Sequence, residues 1–137
     1  FEIWLHAAKC FDKAAGPVEG IGAYIDAKME ISRRHPFGSK VWASEVMHGA
    51  PVIQDYLETT LRDWTEGRAA VIRRWIAAGK MAPVDPYHLL YMLWATTQHY
   101  ADFAAQVEAI AGTPERARVR RAVLDILLGG ITVKPSA

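Results

Sequence analysis

Apolar side chains between Asp85 and Ile110 recur with a helical period and form two stripes rather than one. The stretch opens with Asp85 as an N-cap carboxylate and Pro86 at the first helical position, where a missing N–H costs nothing. No glycine or proline follows before Ile110. At a rise of about 1.5 Å per residue, the pattern predicts one unbroken helix about 39 Å long.

The two stripes lie on roughly opposite faces of this helix. The first comprises Leu89, Met92, Leu93, Thr96, Tyr100, Phe103, Val107 and Ile110. The second comprises Tyr87, Leu90, Tyr91, Trp94, Thr97, Gln98, Ala101 and Ala105. A helix that is apolar on both faces must be buried on both faces. One face can pack against its own domain, so the other needs a second surface, most simply a second copy of the chain.

Further helices are predicted from the same periodicity and from the glycines and prolines at their ends. One runs from Phe1 to just before Gly16, and the others cover residues 17–35, 39–48, 52–78 and 115–128. Gly79 is the predicted C-cap of helix 52–78, Thr113 the predicted N-cap of the last helix, and Gly129-Gly130 its terminator. No stretch alternates with a period of two. The sequence therefore predicts an all-α fold with six helices.

The composition is that of one folded domain. A chain of 137 residues with 51% hydrophobic residues can bury a core and is not disordered. A net charge of +1 gives no general attraction to nucleic acid or to a membrane surface. No apolar run is long enough to span a membrane, and the single Cys10 fits a reducing, cytoplasmic location. Because the chain starts at Phe1 inside a helical pattern, we expect it to be the back part of a longer protein, or one whose front has been lost.

Patterns for catalysis and metal binding are weak. Glu45 and His48 have the Glu-x-x-His spacing of di-iron bundles, but those sites need a second such motif, which this sequence lacks. There is no phosphate-binding loop and no dinucleotide fingerprint. The arginines of residues 116–121 favour a salt-bridging helix face over a phosphate site. We therefore expect no catalytic residues, no metal and no cofactor.

Five tryptophans in a small helical domain are the more informative feature. Trp94 and Gln98 lie four residues apart on one helical stripe, so a flat ring and an amide share one patch. An amide offers both a donor and an acceptor, which suits a small planar polar heterocycle. The alternative is an ordinary core in which Gln98 bonds a backbone carbonyl or the neighbouring Tyr91, and spacing alone favours this alternative.

Three motifs change that balance. They are Glu45 followed by Gly49-Ala50-Pro51; Trp75-Ile76-x-x-Gly79-Lys80-x-Ala82-Pro83-x-Asp85-Pro86; and the run 94–103 continuing into Gln106-Val107-Glu108-Ala109. With these motifs the chain, from Ile3 to about Gly130, resembles the C-terminal ligand-binding and dimerisation domain of TetR-family transcriptional regulators. The second motif is generic to that family. The third, Trp-Ala-Thr-Thr-Gln-His-Tyr-Ala-Asp-Phe, resembles the subgroup that responds to pyrimidines.

The resemblance implies a small-molecule effector, such as uracil or thymine, and a homodimer. The candidate ligand-binding residues are Trp4, Trp42, Tyr91, Trp94 and Gln98. The last two helices would pair with their symmetry mates as a four-helix interface, in keeping with the two apolar stripes. The candidate interface residues are Leu89, Met92, Thr96, Tyr100, Phe103, Val119, Val123, Ile126 and Leu127.

Two departures from the family limit this interpretation. The family's helix-turn-helix domain would precede Phe1 and is absent, so we expect DNA binding only through that missing domain. Trp42 stands where the resembling regulators carry other side chains, so the effector can differ. Two other hypotheses stay open: a small helical-bundle enzyme acting on a heterocycle with Glu45 as its only plausible acid or base, and a dimerisation module with a solid core.

Overall fold

The computed structural model describes residues 5–131, except for the side chain of Cys10. Within that range the chain forms seven helices and no strand, so the all-α prediction is confirmed. The bounds are α1 Lys9–Lys13, α2 Pro17–Arg34, α3 Pro36–Met47, α4 (Gln54–Tyr56, a π-helical turn Leu57–Leu61, and Arg62–Ala77), α5 Pro86–Asp102, α6 Ala104–Ala111 and α7 Arg116–Ile131. The predicted helix start at Phe1 lies outside the described residues.

The ends of α4 and α5 follow the capping chemistry of the sequence. Gly79, just after α4, has a φ of 74°, a left-handed conformation that glycine adopts without strain. At the start of α5, an Asp85 carboxylate oxygen accepts the N–H of Tyr87 at 2.9 Å and the N–H of His88 at 3.3 Å. Pro86 occupies the first turn, as predicted. Capping therefore fixes where the central helix begins.

The central helix is not the single rod that the sequence predicts. It divides at Phe103, whose φ of −115° and ψ of 29° leave the helical region. The Phe103 carbonyl then accepts the N–H groups of Gln106 at 3.0 Å and Val107 at 3.2 Å and so starts α6. Immediately before the break, Asp102 accepts a hydrogen bond from Ser39 of α3. The prediction of one unbroken helix was wrong. The break involves no glycine or proline, and it lies beside a tertiary contact that the periodicity of the sequence does not encode.

The last helix also differs from its prediction. It begins at Arg116, so the N-cap prediction for Thr113 was wrong. It runs through Gly129 and Gly130 to Ile131, because neither glycine takes the positive φ that would terminate it. Ile131 is buried, and its carbonyl accepts an N–H from the linker before α5 at 2.8 Å. Burial of the last residue thus extends the helix past two poor helix formers.

α5 is the centre of the fold, since it packs against α2, α3 and α4. Leu90 and Leu93 of α5 are fully buried with Ile21 and Ile25 of α2 and Ile72 of α4. Full burial of each such side chain stabilises the fold by roughly 1.5–3 kcal/mol. The core therefore covers one face of α5 over its first two turns and leaves the end near α3 free to line a cavity.

Gly20 allows α2 to approach α4 closely. A Cβ at this position would lie 2.7 Å from a ring carbon of Trp75. Glycine costs a helix about 1 kcal/mol relative to alanine. Here that cost is offset by the packing of an indole directly on the backbone.

Ion pairs tie α7 to α2. Arg116 contacts Glu30 at 2.8 Å, and the guanidinium of Arg120 donates two hydrogen bonds to the carboxylate of Asp26. The arginine-rich start of α7 is thus a salt-bridging face, as the sequence indicates. Within the described residues, no helix is long and apolar enough to cross a membrane.

Candidate functional site

A cavity of about 350 Å³ lies between α2, α3, α4 and α5. This volume is at the lower end of the range of about 300–1,000 Å³ that is typical of small-molecule pockets. The apolar and aromatic lining residues are Leu5, Tyr24, Trp42, Val46, Tyr56, Leu57, Leu61, Trp64 and Trp94, and the remaining lining residues are Lys28, Ser39 and Gln98. An apolar cavity with a few polar groups is the usual form of a site for a compact organic ligand.

Two indoles form one wall of the cavity. The ring centroids of Trp64 and Trp94 lie 6.1 Å apart, and their planes are inclined by 38°. The Trp94 N–H donates to the Tyr24 hydroxyl at 3.1 Å, and the Trp64 N–H donates to the Leu5 carbonyl at 3.2 Å. Because both N–H groups are already bonded, these rings offer flat apolar faces, and other residues must serve the polar atoms of a ligand.

The opposite side is formed by α3 and the start of α4. Trp42 and Tyr56 meet edge to face with their centroids 6.2 Å apart. Tyr56 is followed by the π-helical turn, whose first and last residues, Leu57 and Leu61, both line the cavity. Single π turns within α-helices are frequent at functional sites. The irregularity in α4 therefore coincides with the wall of the cavity.

Gln98 brings an uncommitted amide to the cavity. Its side chain is half-buried, and among the described residues it has no hydrogen-bond partner. Neither a backbone carbonyl nor Tyr91 takes up the amide, as the ordinary-core alternative requires. A free amide beside indole faces can pair with the edge of a planar ring that carries both a carbonyl and an N–H.

Lys28 is the one charged side chain among the described lining residues, and only 4% of it is exposed. Its ammonium nitrogen lies 5.8 Å from the centroid of the Tyr24 ring. It forms neither a hydrogen bond nor an ion pair with any described residue, although the Asp102 carboxylate attracts it from a greater distance. Burial lowers the pKa of Lys28 from 10.5 to about 7, and the attraction of Asp102 offsets part of this effect.

Ser39 and Asp102 form a second polar group beside Lys28. Ser39 is fully buried, and its hydroxyl donates to Asp102 at the end of α5. This bond uses the hydroxyl hydrogen of Ser39, so the serine can only accept a hydrogen bond from a ligand. The donors that line the cavity therefore include the amide of Gln98 and the nitrogen of Lys28.

Sequence reasoning missed nine of the twelve lining residues, among them the polar Tyr24, Lys28 and Ser39. A signal for Lys28 was present, because it lies three residues after Ile25 and seven after Ile21, on the buried face of α2. A lysine on a buried apolar stripe is rare unless it is paired or functional. Tyr24 and Ser39 carry no comparable signal.

The five predicted ligand-binding residues differ in where they lie relative to the cavity. Trp42, Trp94 and Gln98 line the cavity together. Tyr91 packs against Trp94 with centroids 5.7 Å apart, but it is half exposed and does not line the cavity. Trp4 lies outside the described residues. The binding role of all five stays a prediction.

Glu45, the only acid–base candidate, serves the backbone instead. One of its carboxylate oxygens accepts the N–H of Val52 at 2.7 Å and the N–H of Ile53 at 3.1 Å, and it thereby caps the approach to α4. Glu45 does not line the cavity. Across residues 5–131, no cluster of three potential metal-ligating side chains is found.

A second concave surface of about 370 Å³ lies between α5 and α7. Five of the predicted interface residues line this groove: Thr96, Tyr100, Val123, Ile126 and Leu127. Two others, Met92 and Phe103, are about half exposed, and Ile126 within the groove is 76% exposed. Leu89 and Val119 are instead buried within the chain, so they contribute to its core. Large apolar side chains are thus exposed to solvent on the outer face of α5 and α7.

Comparison with known proteins connects this arrangement to a family. Residues 1–133 match the family described as YcdC-like protein, C-terminal region. The chain is 43% identical over 118 residues to the HTH-type transcriptional regulator RutR of Escherichia coli K12, and equally similar to RutR of Shigella flexneri. Each match covers 86% of this chain and 56% of the relative, so the chain spans about half the length of these relatives.

Proposed function

This chain belongs to the TetR family, as the C-terminal region of a YcdC-like protein, and on that premise we propose that it senses a small planar effector and dimerises on behalf of a transcriptional repressor. The observation that carries the proposal is the cavity, where indole faces and the free amide of Gln98 meet in a space suited to one compact ring. A dimerisation module with a solid core would have no such space.

The effector is a pyrimidine such as uracil or thymine. A pyrimidine ring is flat, so it stacks on Trp64 and Trp94, and its carbonyl and N–H edge matches the donor and acceptor of Gln98. Trp42 narrows the cavity from the side of α3 and limits the size of ring substituents. The similarity to RutR supports a regulator of this kind.

The active form is a homodimer joined through α5 and α7. The groove between these helices and the exposed Met92, Phe103 and Ile126 form an apolar surface that a symmetry-related copy would bury. Two helices from each copy make a four-helix interface. DNA binding in the intact regulator would belong to a helix-turn-helix domain outside the effector-binding and dimerisation region.

Signalling runs from the cavity to the N-terminal side of the chain. Leu5 lines the cavity, and its carbonyl accepts a hydrogen bond from the Trp64 N–H, so a ligand in the cavity would contact the segment on the side of the DNA-binding domain. An effector that prefers one position of this segment shifts the dimer between two arrangements, by its difference in affinity for them. Paired DNA-reading heads must match half-sites about one helical turn apart, so such a shift changes operator affinity.

Thermal unfolding with uracil, thymine and unrelated planar or amphipathic compounds tests the proposal. A ligand that binds only the folded state adds about 2.7 kcal/mol of stability at a hundredfold excess over its Kd. We expect a selective shift with a pyrimidine. Gln98→Ala removes the amide and should weaken binding by about 1–3 kcal/mol, whereas Gln106→Ala, an exposed glutamine on α6, should leave it unchanged.

The other outcomes separate the parts of the proposal. A shift with unrelated compounds alone would keep the sensor and discard the pyrimidine. No shift with any compound would contradict effector sensing by this cavity. Unchanged pyrimidine affinity in the Gln98→Ala variant would exclude the role assigned to the amide.

A further inference from the structure

The polar side of the cavity contains a buried cation, Lys28, in addition to the amide of Gln98. Gln98 can serve the carbonyl and N–H edge of a neutral pyrimidine on its own. Lys28 is left with no hydrogen-bond partner among the described residues, although it is 4% exposed and lines the same space. A buried ammonium group without a partner is costly, so a side chain of this kind calls for a ligand group that pairs with it.

The surroundings of Lys28 contain few competing charges. α2 contributes the Tyr24 ring, and α3 and α4 contribute only neutral groups to the lining, including the Ser39 and Tyr56 hydroxyls. From α5, Asp102 is the opposing charge, but its carboxylate accepts from Ser39 and stands beyond ion-pair distance from Lys28. A negative oxygen inside the cavity would therefore give the ammonium a direct charged partner in addition to its contact with the Tyr24 ring.

We propose that Lys28 makes this cavity select planar heterocycles that carry a negatively charged oxygen conjugated to the ring, over the neutral parent ring. The anionic group is a ring carboxylate or a ring enolate. The ring stacks on the indoles, its amide edge pairs with Gln98, and its charged oxygen accepts from the Lys28 ammonium. The proposal rests on the effector-sensing function proposed for the same cavity and narrows the ligand class.

Binding of an anion should be coupled to uptake of a proton. With a pKa of about 7, Lys28 is close to half protonated in the free protein at neutral pH. An anionic ligand binds the ammonium form, so it draws a proton from solvent onto the remaining fraction. Anion affinity should therefore fall as the pH rises above 7, whereas the affinity of a neutral ring should change little.

Titration calorimetry of the 137-residue chain with uracil, orotate and barbiturate tests this selection. Orotate presents a ring carboxylate, barbiturate a ring enolate formed by loss of the C5 proton, and uracil is the neutral parent ring. Measurements at pH 6.5 and 8.5, each in two buffers of different ionisation enthalpy, report the affinity and the protons taken up. The variants are Lys28→Met, which keeps the apolar stem and removes the charge, and Lys40→Met, the matched loss of an exposed lysine on α3.

We expect at least one anion to bind the unmodified chain and Lys40→Met tenfold or more tighter than uracil at pH 6.5, with proton uptake. That advantage should fall by more than tenfold at pH 8.5 and be absent in Lys28→Met, which still binds uracil. Binding of orotate alone or of barbiturate alone identifies which anionic group fits.

Two results would overturn the selection while leaving effector sensing intact: uracil binding without an anion advantage, and an anion advantage that survives in Lys28→Met. Uracil binding to Lys28→Met also shows that this variant is folded, so a lost anion response cannot come from unfolding. No binding by any of the three compounds overturns the proposal on Lys28, and together with an absent thermal shift it removes the proposed function as well.

Discussion

Replacing Lys28 by methionine should stabilise the folded chain, and the gain should depend on pH. Methionine has a similar length and no charge, so it fills the same space without a desolvation cost. The pKa of Lys28 falls from 10.5 to about 7 on burial. Since each pKa unit corresponds to about 1.4 kcal/mol, keeping Lys28 protonated within the fold costs on the order of 5 kcal/mol.

The pH dependence follows from where the proton is bound. Below pH 7 both the folded and the unfolded chain hold the Lys28 proton, so the full cost is present and the advantage of methionine is greatest. Between pH 7 and 10.5 the unfolded chain holds a proton that the folded chain lacks. The free energy of unfolding of the unmodified chain therefore rises with pH by about 1.4 kcal/mol per unit in this window. Since the folded chain is only half deprotonated at Lys28 at pH 7, the advantage of methionine should shrink by about 2 kcal/mol from pH 7 to 9.

Urea unfolding at pH 6, 7, 8 and 9 measures this difference directly. Both proteins are compared at one protein concentration, because the proposed dimer would make apparent stability concentration-dependent. Lys40→Met, at an exposed lysine, is the control and should stay within about 0.5 kcal/mol of the unmodified chain at every pH. A methionine advantage that is the same at pH 7 and pH 9, or a less stable Lys28→Met variant at pH 6, would refute the reasoning.

Three further substitutions test the fold and the interface. Gly20→Ala places a Cβ 2.7 Å from an indole carbon and should lower the free energy of unfolding by about 1–3 kcal/mol. Gly67→Ala, where a Cβ would have nothing within 4 Å, should raise it by about 0.5–1 kcal/mol. Equal effects of the two substitutions in urea unfolding would argue against the close approach of α2 to the Trp75 ring. Glu45→Ala removes two hydrogen bonds to the backbone before α4 and should lower the free energy of unfolding by about 1–2 kcal/mol without changing pyrimidine affinity. Loss of the ligand response in a variant of unchanged stability would instead give this carboxylate a role in binding. Ile126→Glu puts a charge into the groove between α5 and α7 and should convert the dimer to monomer in sedimentation equilibrium, while Phe37→Glu, at an equally exposed residue on α3, should not.

Local signals in the sequence predicted most helix ends, because a cap needs only a few adjacent residues. The Asp85 carboxylate caps the start of α5, and Gly79 takes a positive φ directly after α4. The break at Phe103 and the π turn after Tyr56 had no such signal. The π turn lies in the cavity wall, and the break at Phe103 follows the contact of Asp102 with Ser39, so contacts with other helices, rather than propensity, decide the backbone at both places.

Part of the candidate site could be predicted for a similar reason. Trp94 and Gln98 are neighbours on one helix, so their spacing places them together. Lys28 and Ser39 reach the cavity from two other helices, and only the packing of α2 and α3 on α5 brings them there. Tyr91, although adjacent to Trp94, is directed away from the cavity because its position on the helix is rotated toward solvent.

The distribution of the indoles gives this protein an internal optical reporter. Trp42, Trp64 and Trp94 surround the cavity, whereas Trp75 lies in the core against Phe11 with ring centroids 4.9 Å apart. An aromatic guest stacked on the cavity walls would quench the emission of the three indoles around it and leave that of Trp75 unchanged. Occupancy of the cavity can therefore be followed by intrinsic fluorescence, without a dye or a coupled reporter gene.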